Sequence, residues 1–261
     1  MKNLEIIVIS LERATERRAA IRKRLEALDL EFEIFDARNG DQGYQEHFKD
    51  INTFTFQIHS RRECLPGEIG CYASHMEVWR RCVQNNRPVV VLEDDAQLTD
   101  WLPEALSVAE RLIDACGFIR LEANKQSSFP RRYDSVGSMG AFEVNYISRI
   151  TVSTTGYVIS PSAAQRFLSN SETMLATVDR FIQCPWVHHQ PLYLLLPSPV
   201  ARSVVDQGSY IKPEGHSPRK TRALGVMSSI ILMKSIYFVR RVLFNASIGR
   251  KSRFEVRRVV E

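Results

Sequence analysis

Three acidic residues in a row, Glu93-Asp94-Asp95, follow the apolar run Val89-Val90-Val91-Leu92. A buried strand that empties into adjacent acids concentrates negative charge at its carboxyl end, where open α/β sheets bind their ligands. Neighbouring carboxylates repel one another, and a hard divalent cation relieves the repulsion. Mg²⁺ or Mn²⁺ typically takes one or two protein carboxylates and completes its shell with water and substrate phosphates. The same acids can instead form a solvated turn or cap the next helix, and spacing alone leaves both readings open.

A second constellation is Leu65-Pro66-Gly67-Glu68-Ile69-Gly70-Cys71-Tyr72-Ala73-Ser74-His75. On a helix, Glu68, Tyr72, His75 and Trp79 fall on one stripe. Carboxylate, phenol, imidazole and indole together suit the wall of a polar pocket, with Gly67 and Gly70 allowing close backbone approach. The plainer reading of His75 is a satisfied core or surface histidine. Thr154-Thr155-Gly156-Tyr157-Val158-Ile159-Ser160 and then Val178-Asp179 form a third group. Gly156 inside a strand pattern points to a ligand or another backbone close by. Asp179 fits a general base, or an N-cap for the residues from Arg180 onward.

The elements that must position these groups follow from periodicity and punctuation. Leu4–Ser10 reads as a strand buried on both faces, Glu12–Leu28 as a helix with Ile21, Leu25 and Leu28 at helical spacing, and Glu31–Ala37 as a second strand. Residues 38–65 are expected to be irregular, with a short strand near Phe54–Ile58. Pro66 opens a helix to about Asn85, and Val89–Leu92 is the strand before the acids. Trp101–Cys116 reads as a helix and Phe118–Leu121 as a strand. The Ser-, Arg- and Gly-rich stretch Gln126–Gly140 is expected to be a loop. Phe142–Ile150 and Thr151–Ile159 read as β structure. Ser160-Pro161 caps a helix to about Leu168, and Asp179 begins a short helical stretch. Prolines chop the region around the apolar run Tyr193–Leu196 into loops. Strands alternating with helices predict an open, mostly parallel α/β sheet, in a body that ends near residue 218.

Of 261 residues, 44% are apolar and 25% charged, ordinary globular usage that excludes wholesale disorder. The net charge of +5 divides unevenly. From Arg219 to Glu261 there are eleven Lys/Arg against two Asp/Glu, whereas the first 218 residues carry 24 basic and 28 acidic side chains. A mildly acidic body argues against nucleic acid as a partner. Five cysteines without a C-x-x-C pair argue against zinc ribbons and disulfide frameworks and fit reduced, mostly buried thiols. In the apolar C-terminal part, the longest uncharged stretch is the eleven residues Ala223–Met233. A bilayer span needs about 20. The N-terminus does not read as a secretory signal.

Taken together, Ser10-Leu11-x-Arg13-x-x-x-Arg17, then Pro-Gly-Glu-Ile-Gly-Cys-x-x-Ser-His-x-x-x-Trp, then Val-Leu-Glu-Asp-Asp-Ala resemble glycosyltransferase family 25 over roughly residues 3–212. These are the bacterial lipooligosaccharide galactosyltransferases, similar also to the collagen galactosyltransferase domain. Where the family often has Ser-Asp-Ile, this chain has Ser209-Tyr210-Ile211. The resemblance implies a GT-A-type fold, a nucleotide-sugar donor (UDP-galactose, or UDP-glucose) and a β-linked product formed with inversion. It also implies that Asp95 binds Mn²⁺ or Mg²⁺ directly, with Glu93 helping or contacting the ribose. The expected donor-side residues are Ser10, Arg13, Arg17, Glu68, His75, Glu93 and Asp94. The two arginines also read as ordinary exposed helix residues. Asp179 is the expected base, with Glu122 in reserve.

Residues 219–258 mix Leu224, Val226, Ile230, Ile231, Ile236, Phe238, Val242 and Leu243 with Arg/Lys clusters. They read as a basic amphipathic helix lying on an anionic membrane surface, or as a helix packed on the domain with a frayed basic end. The expected setting is the cytoplasmic face of the inner membrane, beside a lipid-linked oligosaccharide acceptor, and deletion of 219–261 is expected to free the protein. Two rival functions are a catalytically silent membrane adaptor of the same fold and a nucleotidyltransferase. The latter normally needs a phosphate loop rich in glycine near the first strand, and Ser10–Arg17 contains no glycine.

Overall fold

β1 (Glu5–Ser10) is buried from Ile6 onward, which explains why its sequence is continuous in Ile and Val rather than alternating. The computed structural model describes residues 4–40, 48–60, 62–123, 132–149, 153–202 and 224–260. Helix α1 (Thr15–Ala27) crosses over to β2 (Glu33–Asp36), which pairs parallel with β1. On the other side of β1 lies β4 (Val89–Glu93), also parallel, reached through α3 (Pro66–Gln84). β9 (Gly156–Ile159) inserts antiparallel between β4 and β6 (Phe118–Arg120). β11 (Tyr193–Leu196) follows parallel to β6, and the hairpin of β7 (Arg132–Met139) and β8 (Phe142–Arg149) closes the sheet. The order is β2-β1-β4-β9-β6-β11-β8-β7. β1, β2, β4, β6, β7 and β11 run one way and only β8 and β9 the other, so the expected mostly parallel α/β sheet is present with β9 reversed at its centre.

Helices cover both faces. α3, α5 (Pro161–Ser169), α6 (Val178–Ile182) and α7 (Pro185–His188) bury Trp79, Phe118, Tyr157, Phe167 and Phe181 on one side. α1, α4 (Leu102–Cys116) and α9 (Ile248–Val260) bury Leu25, Leu106, Leu112, Tyr146, Tyr193 and Val256 on the other. Short pairs trim the edges: β3 (Asp50–Ile51) with β10 (Thr173–Met174), and β5 (Ala96–Leu98) with β12 (Val200–Arg202). All five cysteines are free thiols, Cys82, Cys116 and Cys184 buried and Cys64 and Cys71 half-buried.

Two sequence expectations are corrected. Phe54–Ile58 is not a strand but part of helix α2 (Thr53–Ser60). The alternation Phe54, Phe56, Ile58 mimics a strand, but the Asn52 side chain accepts the Thr55 N–H at 2.8 Å and starts a helix. The stretch expected to be a loop over Gln126–Gly140 holds β7 in its described part. Its glycines serve the hairpin. Gly137 (φ 149°) sits at a register shift, and Gly140 (φ 59°) opens the two-residue turn into β8. The strand expected from Thr151 begins only at Gly156, and residues 150–152 lie outside the described set.

The body boundary near 218 and Ser209-Tyr210-Ile211 also lie outside the described residues. Beyond them, α8 (Leu224–Ala246) leans on the body through Ile230 against Ile58 and a 2.8 Å Tyr237–His59 hydrogen bond. α9 is built into the core: Ser252 and Tyr193 hydroxyls lie 2.6 Å apart, and the Arg253 guanidinium stacks 4.7 Å from the Tyr146 ring centre. No helix among the described residues is long and apolar enough to cross a membrane.

Candidate functional site

β1 and β4 end side by side, Ile9 opposite Glu93, so Ser10 and the three acids share the carboxyl edge of the sheet. Each acid meets a different environment. Asp94 is held on both oxygens: Ser10 Oγ donates to Oδ2 at 2.6 Å, and Arg17 Nη1 lies 3.3 Å from Oδ1. Glu93 Oε1 accepts from the Thr154 hydroxyl and lies 3.5 Å from His75 Nε2. Burial would raise the Glu93 carboxyl, but His75, Thr154 and the charge of Arg202 outweigh it and hold it below the ordinary range. Asp95 has the guanidinium of Arg202 3.4 Å from Oδ2, while its Oδ1 is buried with no hydrogen-bond partner among the described residues. Burial first, then the charge of Glu93, raises the Asp95 carboxyl to about 6, with Arg202 working the other way.

The segment entering β9 is clamped from both sides. Glu93 N–H donates to the Thr155 carbonyl at 3.0 Å, and Thr155 N–H donates to Glu122 Oε1 at 3.1 Å. Arg120 Nη2 lies 3.1 Å from that same oxygen and also donates to the Ser153 carbonyl. This buried ion pair occupies Glu122, and burial raises its carboxyl. Asp179 stands in the first turn of α6, behind the N-cap Thr177. Its Oδ1 accepts from the Thr177 hydroxyl and from the Arg180 N–H at 2.7 Å. Burial is the main cause that raises Asp179, and the charge of Glu93 adds to it, which sets this carboxylate within electrostatic reach of the acids on β4.

α3 supplies the wall. The stripe Glu68, Tyr72, His75, Trp79 is buried throughout. His75 faces Glu93. Trp79 and Tyr72 pack in the aromatic cluster with Phe167 and Phe181. Glu68 is engaged at the start of its own helix, accepting the Leu65 N–H at 2.9 Å and pairing with Arg62. The close approach at Gly70 is to backbone, since a Cβ there would collide with the Arg38 carbonyl oxygen and the Gly40 amide nitrogen. Gly156 packs instead against the side chains of Val200 and Leu92. Arg13 is exposed at the first turn after β1.

The structure thus brings together Ser10, Arg17, His75, Glu93, Asp94, Asp95 and, through Thr155, Glu122. Arg202 and Arg120 were not singled out by sequence reasoning, and Thr154 entered only as the first residue of the third group. Arg202 reaches Asp95 because β12 pairs with β5, directly after the acids, and no local pattern announces that pairing. Cys71, His75 and Glu93 also present ligand-type atoms that all lie within 4.8 Å of one another.

Residues 3–182 match the family described as glycosyltransferase family 25 (LPS biosynthesis protein). The chain belongs to glycosyltransferase family 25. A family 25 member of Aedes aegypti is 30% identical over 195 residues, covering 70% of this chain and 31% of that protein. The lipooligosaccharide biosynthesis protein lex-1 of Haemophilus influenzae is 28% identical over 190 residues, 63% of each chain. Human procollagen galactosyltransferase 2 is 24% identical over 197 residues, 71% of this chain and 30% of that protein. The chain therefore spans about a third of the insect and human relatives and under two thirds of the bacterial one. The family 25 region holds the acids, Ser10, Arg17, His75 and Asp179, whereas Arg202, α8 and α9 lie beyond it.

Proposed function

We propose that this chain is an inverting, divalent-cation-dependent hexosyltransferase. It moves galactose from UDP-galactose, with UDP-glucose the alternative donor, onto a lipopolysaccharide or lipooligosaccharide core in a β linkage. One observation carries the reading: the buried Oδ1 of Asp95 beside Glu93, at the carboxyl edge of the sheet, without a hydrogen-bond partner among the described residues. With Asp94 already neutralised by Ser10 and Arg17, the oxygens left are hard donors of the kind Mn²⁺ and Mg²⁺ prefer. Asp95 would hold the cation and Glu93 assist. When bound, such a cation supplies Lewis-acid stabilisation to the departing diphosphate.

The chain's own groups supply the remainder. Arg13 and Arg17, at the first strand–helix junction, would offer charge-assisted bonds to the diphosphate, Arg17 from its pairing with Asp94. His75 would stand on the donor side, with Glu68 at the start of α3. Asp179 is the proposed base: its carboxylate takes the proton of the acceptor hydroxyl during in-line attack, a role typically worth about 10² to 10⁴ in rate. Glu122 stays in reserve, since its Oε1 is already held by Arg120 and Thr155. The proposed acceptor is a lipid-linked oligosaccharide, and the exposed apolar and basic residues of α8 support peripheral attachment to an anionic bilayer at the cytoplasmic face of the inner membrane. A panel of UDP-sugars assayed for hydrolysis and transfer, with and without Mn²⁺, tests the reading. Transfer from none of them with metal present rejects it.

A second reading is a silent member of the fold. The Arg202 guanidinium beside Asp95 is the observation that favours it, because a cation of the protein's own stands where a metal ligand is wanted. A rat relative, 30% identical over 115 residues, carries the name probable inactive glycosyltransferase 25 family member 3. Mn²⁺-dependent UDP binding by this chain would remove that ground, and transfer from a UDP-sugar excludes the silent reading.

A further inference from the structure

Trp79, Tyr157 and His75 form a buried chain of polar contacts that ends on Glu93, and chemistry sets the direction of each link. Trp79 Nε1 can only donate, so its 2.9 Å bond places a hydrogen on Tyr157 Oη. The same phenol oxygen lies 2.8 Å from His75 Nδ1. Were the imidazole hydrogen on Nδ1, the phenol would accept twice and its own O–H would lack an acceptor among the described residues, at 1% exposure. A buried donor left unsatisfied costs about 1 to 3 kcal/mol. Tyr157 therefore donates to Nδ1, and the imidazole hydrogen sits on Nε2. That nitrogen, fully buried, has Glu93 Oε1 at 3.5 Å, longer than a formed hydrogen bond but near enough that an N–H is attracted to the carboxylate where a bare lone pair would be repelled.

We infer that Trp79, Tyr157 and His75 are positioning residues: they fix His75 as the Nε2–H tautomer and aim that hydrogen at Glu93 Oε1. With Thr154 donating to the same oxygen, Oε1 is engaged from two sides and the carboxylate is held in one orientation. The inference rests on the proposed cation–diphosphate reading of the acids. It also works against a competing arrangement, because Nε2 would have to give up its hydrogen, and Tyr157 its acceptor, before joining Cys71 and Glu93 around a metal.

The test begins on the unmodified chain, labelled with ¹⁵N-histidine and observed by NMR. The Nε2–H pattern is expected for His75. An Nδ1–H pattern, or loss of the Nε2 hydrogen on adding Zn²⁺, overturns the relay. Tyr157→Phe should let the tautomer average and weaken Mn²⁺ binding in the presence of UDP, read by EPR, about 10-fold, as loss of a supporting hydrogen bond commonly does. His75→Leu should weaken it at least as much, while His75→Gln, whose amide N–H can stand in for Nε2–H, should restore most of it. Unchanged Mn²⁺ affinity in both Tyr157→Phe and His75→Leu overturns the positioning role. A wild-type chain that binds no Mn²⁺ at all overturns the cation reading and that role with it, and the nitrogen shifts then judge the tautomer alone.

Discussion

Ser10 and Asp94 are joined by a 2.6 Å hydrogen bond across 84 residues of sequence. The bond ties the tips of two adjacent parallel strands and turns the middle acid of the triplet toward β1 and α1, where Arg17 completes its partners. Asp94 and Asp95 form the turn that joins β4 to β5, and with Asp94 tied to Ser10 and Arg17, Glu93 and Asp95 are left for other work. One acid of the three is structural, and its two neighbours face the site.

That division predicts opposite phenotypes for adjacent residues. Asp94→Asn removes the charge from a nearly buried pair and should lower stability by about 1.5 to 3 kcal/mol, the range for hydrogen bonds to charged groups, in urea unfolding. Arg17→Ala should do the same. Asp95→Asn should leave folding intact or improve it, yet remove Mn²⁺-dependent UDP binding and cut transfer by about 10² or more, as loss of a preorganised electrostatic group does. A stable Asp94→Asn protein beside a fully active Asp95→Asn protein would reverse the assignment.

The pH dependence of stability has a definite sign. In the folded chain the Asp95 carboxyl is raised to about 6, from an ordinary value of 3.8. The folded state therefore holds this proton more tightly than the unfolded state. The resulting stabilisation is present below about pH 4 and lost as pH climbs through about 6, on the order of 2 to 3 kcal/mol for this group. Metal-free protein should show that decline in chemical denaturation between those pH values. Asp95→Asn should flatten it, and Mn²⁺ should offset it above pH 6, where the carboxylate is charged. A wild-type and Asp95→Asn pair with identical pH profiles would contradict the raised value.

Asp179→Asn keeps the shape of the side chain and its place behind Thr177 but removes the proton acceptor. Transfer should fall by about 10² to 10⁴, with UDP binding nearly unchanged in calorimetry. Because burial raises the Asp179 carboxyl, turnover in the wild type should drop on the acid side at a pH above the usual carboxylate range. Near-normal turnover in Asp179→Asn would pass the role to another group, and Glu122→Gln is then the variant to assay.

Much of this was legible in the sequence where local chemistry decides. β1 and β4 are continuous apolar runs, α3 begins at Pro66, and the acids fall at the end of a strand. The failures share a cause. Phe54, Phe56 and Ile58 alternate like a strand, and only the Asn52 cap settles the helix. Ser- and Gly-rich β7 looks like a loop until β8 supplies its partner. The clamp of Arg120 and Glu122 on residues 153–155, and the reach of Arg202 to Asp95, depend on non-neighbouring strands meeting. Period and composition are blind to such pairings.

The C-terminal helices change how membrane attachment must be tested. Removing 219–261 would strip α9 from Tyr146 and Tyr193 and open the core, so release of a truncated protein would report unfolding as readily as detachment. α8 offers a cleaner probe, since Leu232 and Leu243 are each 63% exposed and contribute little to the fold. Burying one such side chain is worth about 1.5 to 3 kcal/mol, and each basic residue near an anionic leaflet adds about 1 kcal/mol. Leu232→Asp with Leu243→Asp should therefore weaken binding to phosphatidylglycerol-containing vesicles by 10-fold or more, in flotation assays, with the thermal midpoint unchanged. Raised salt should weaken the wild type in the same assay. Vesicle binding that ignores both the substitutions and the salt would place attachment elsewhere, or nowhere, on this chain.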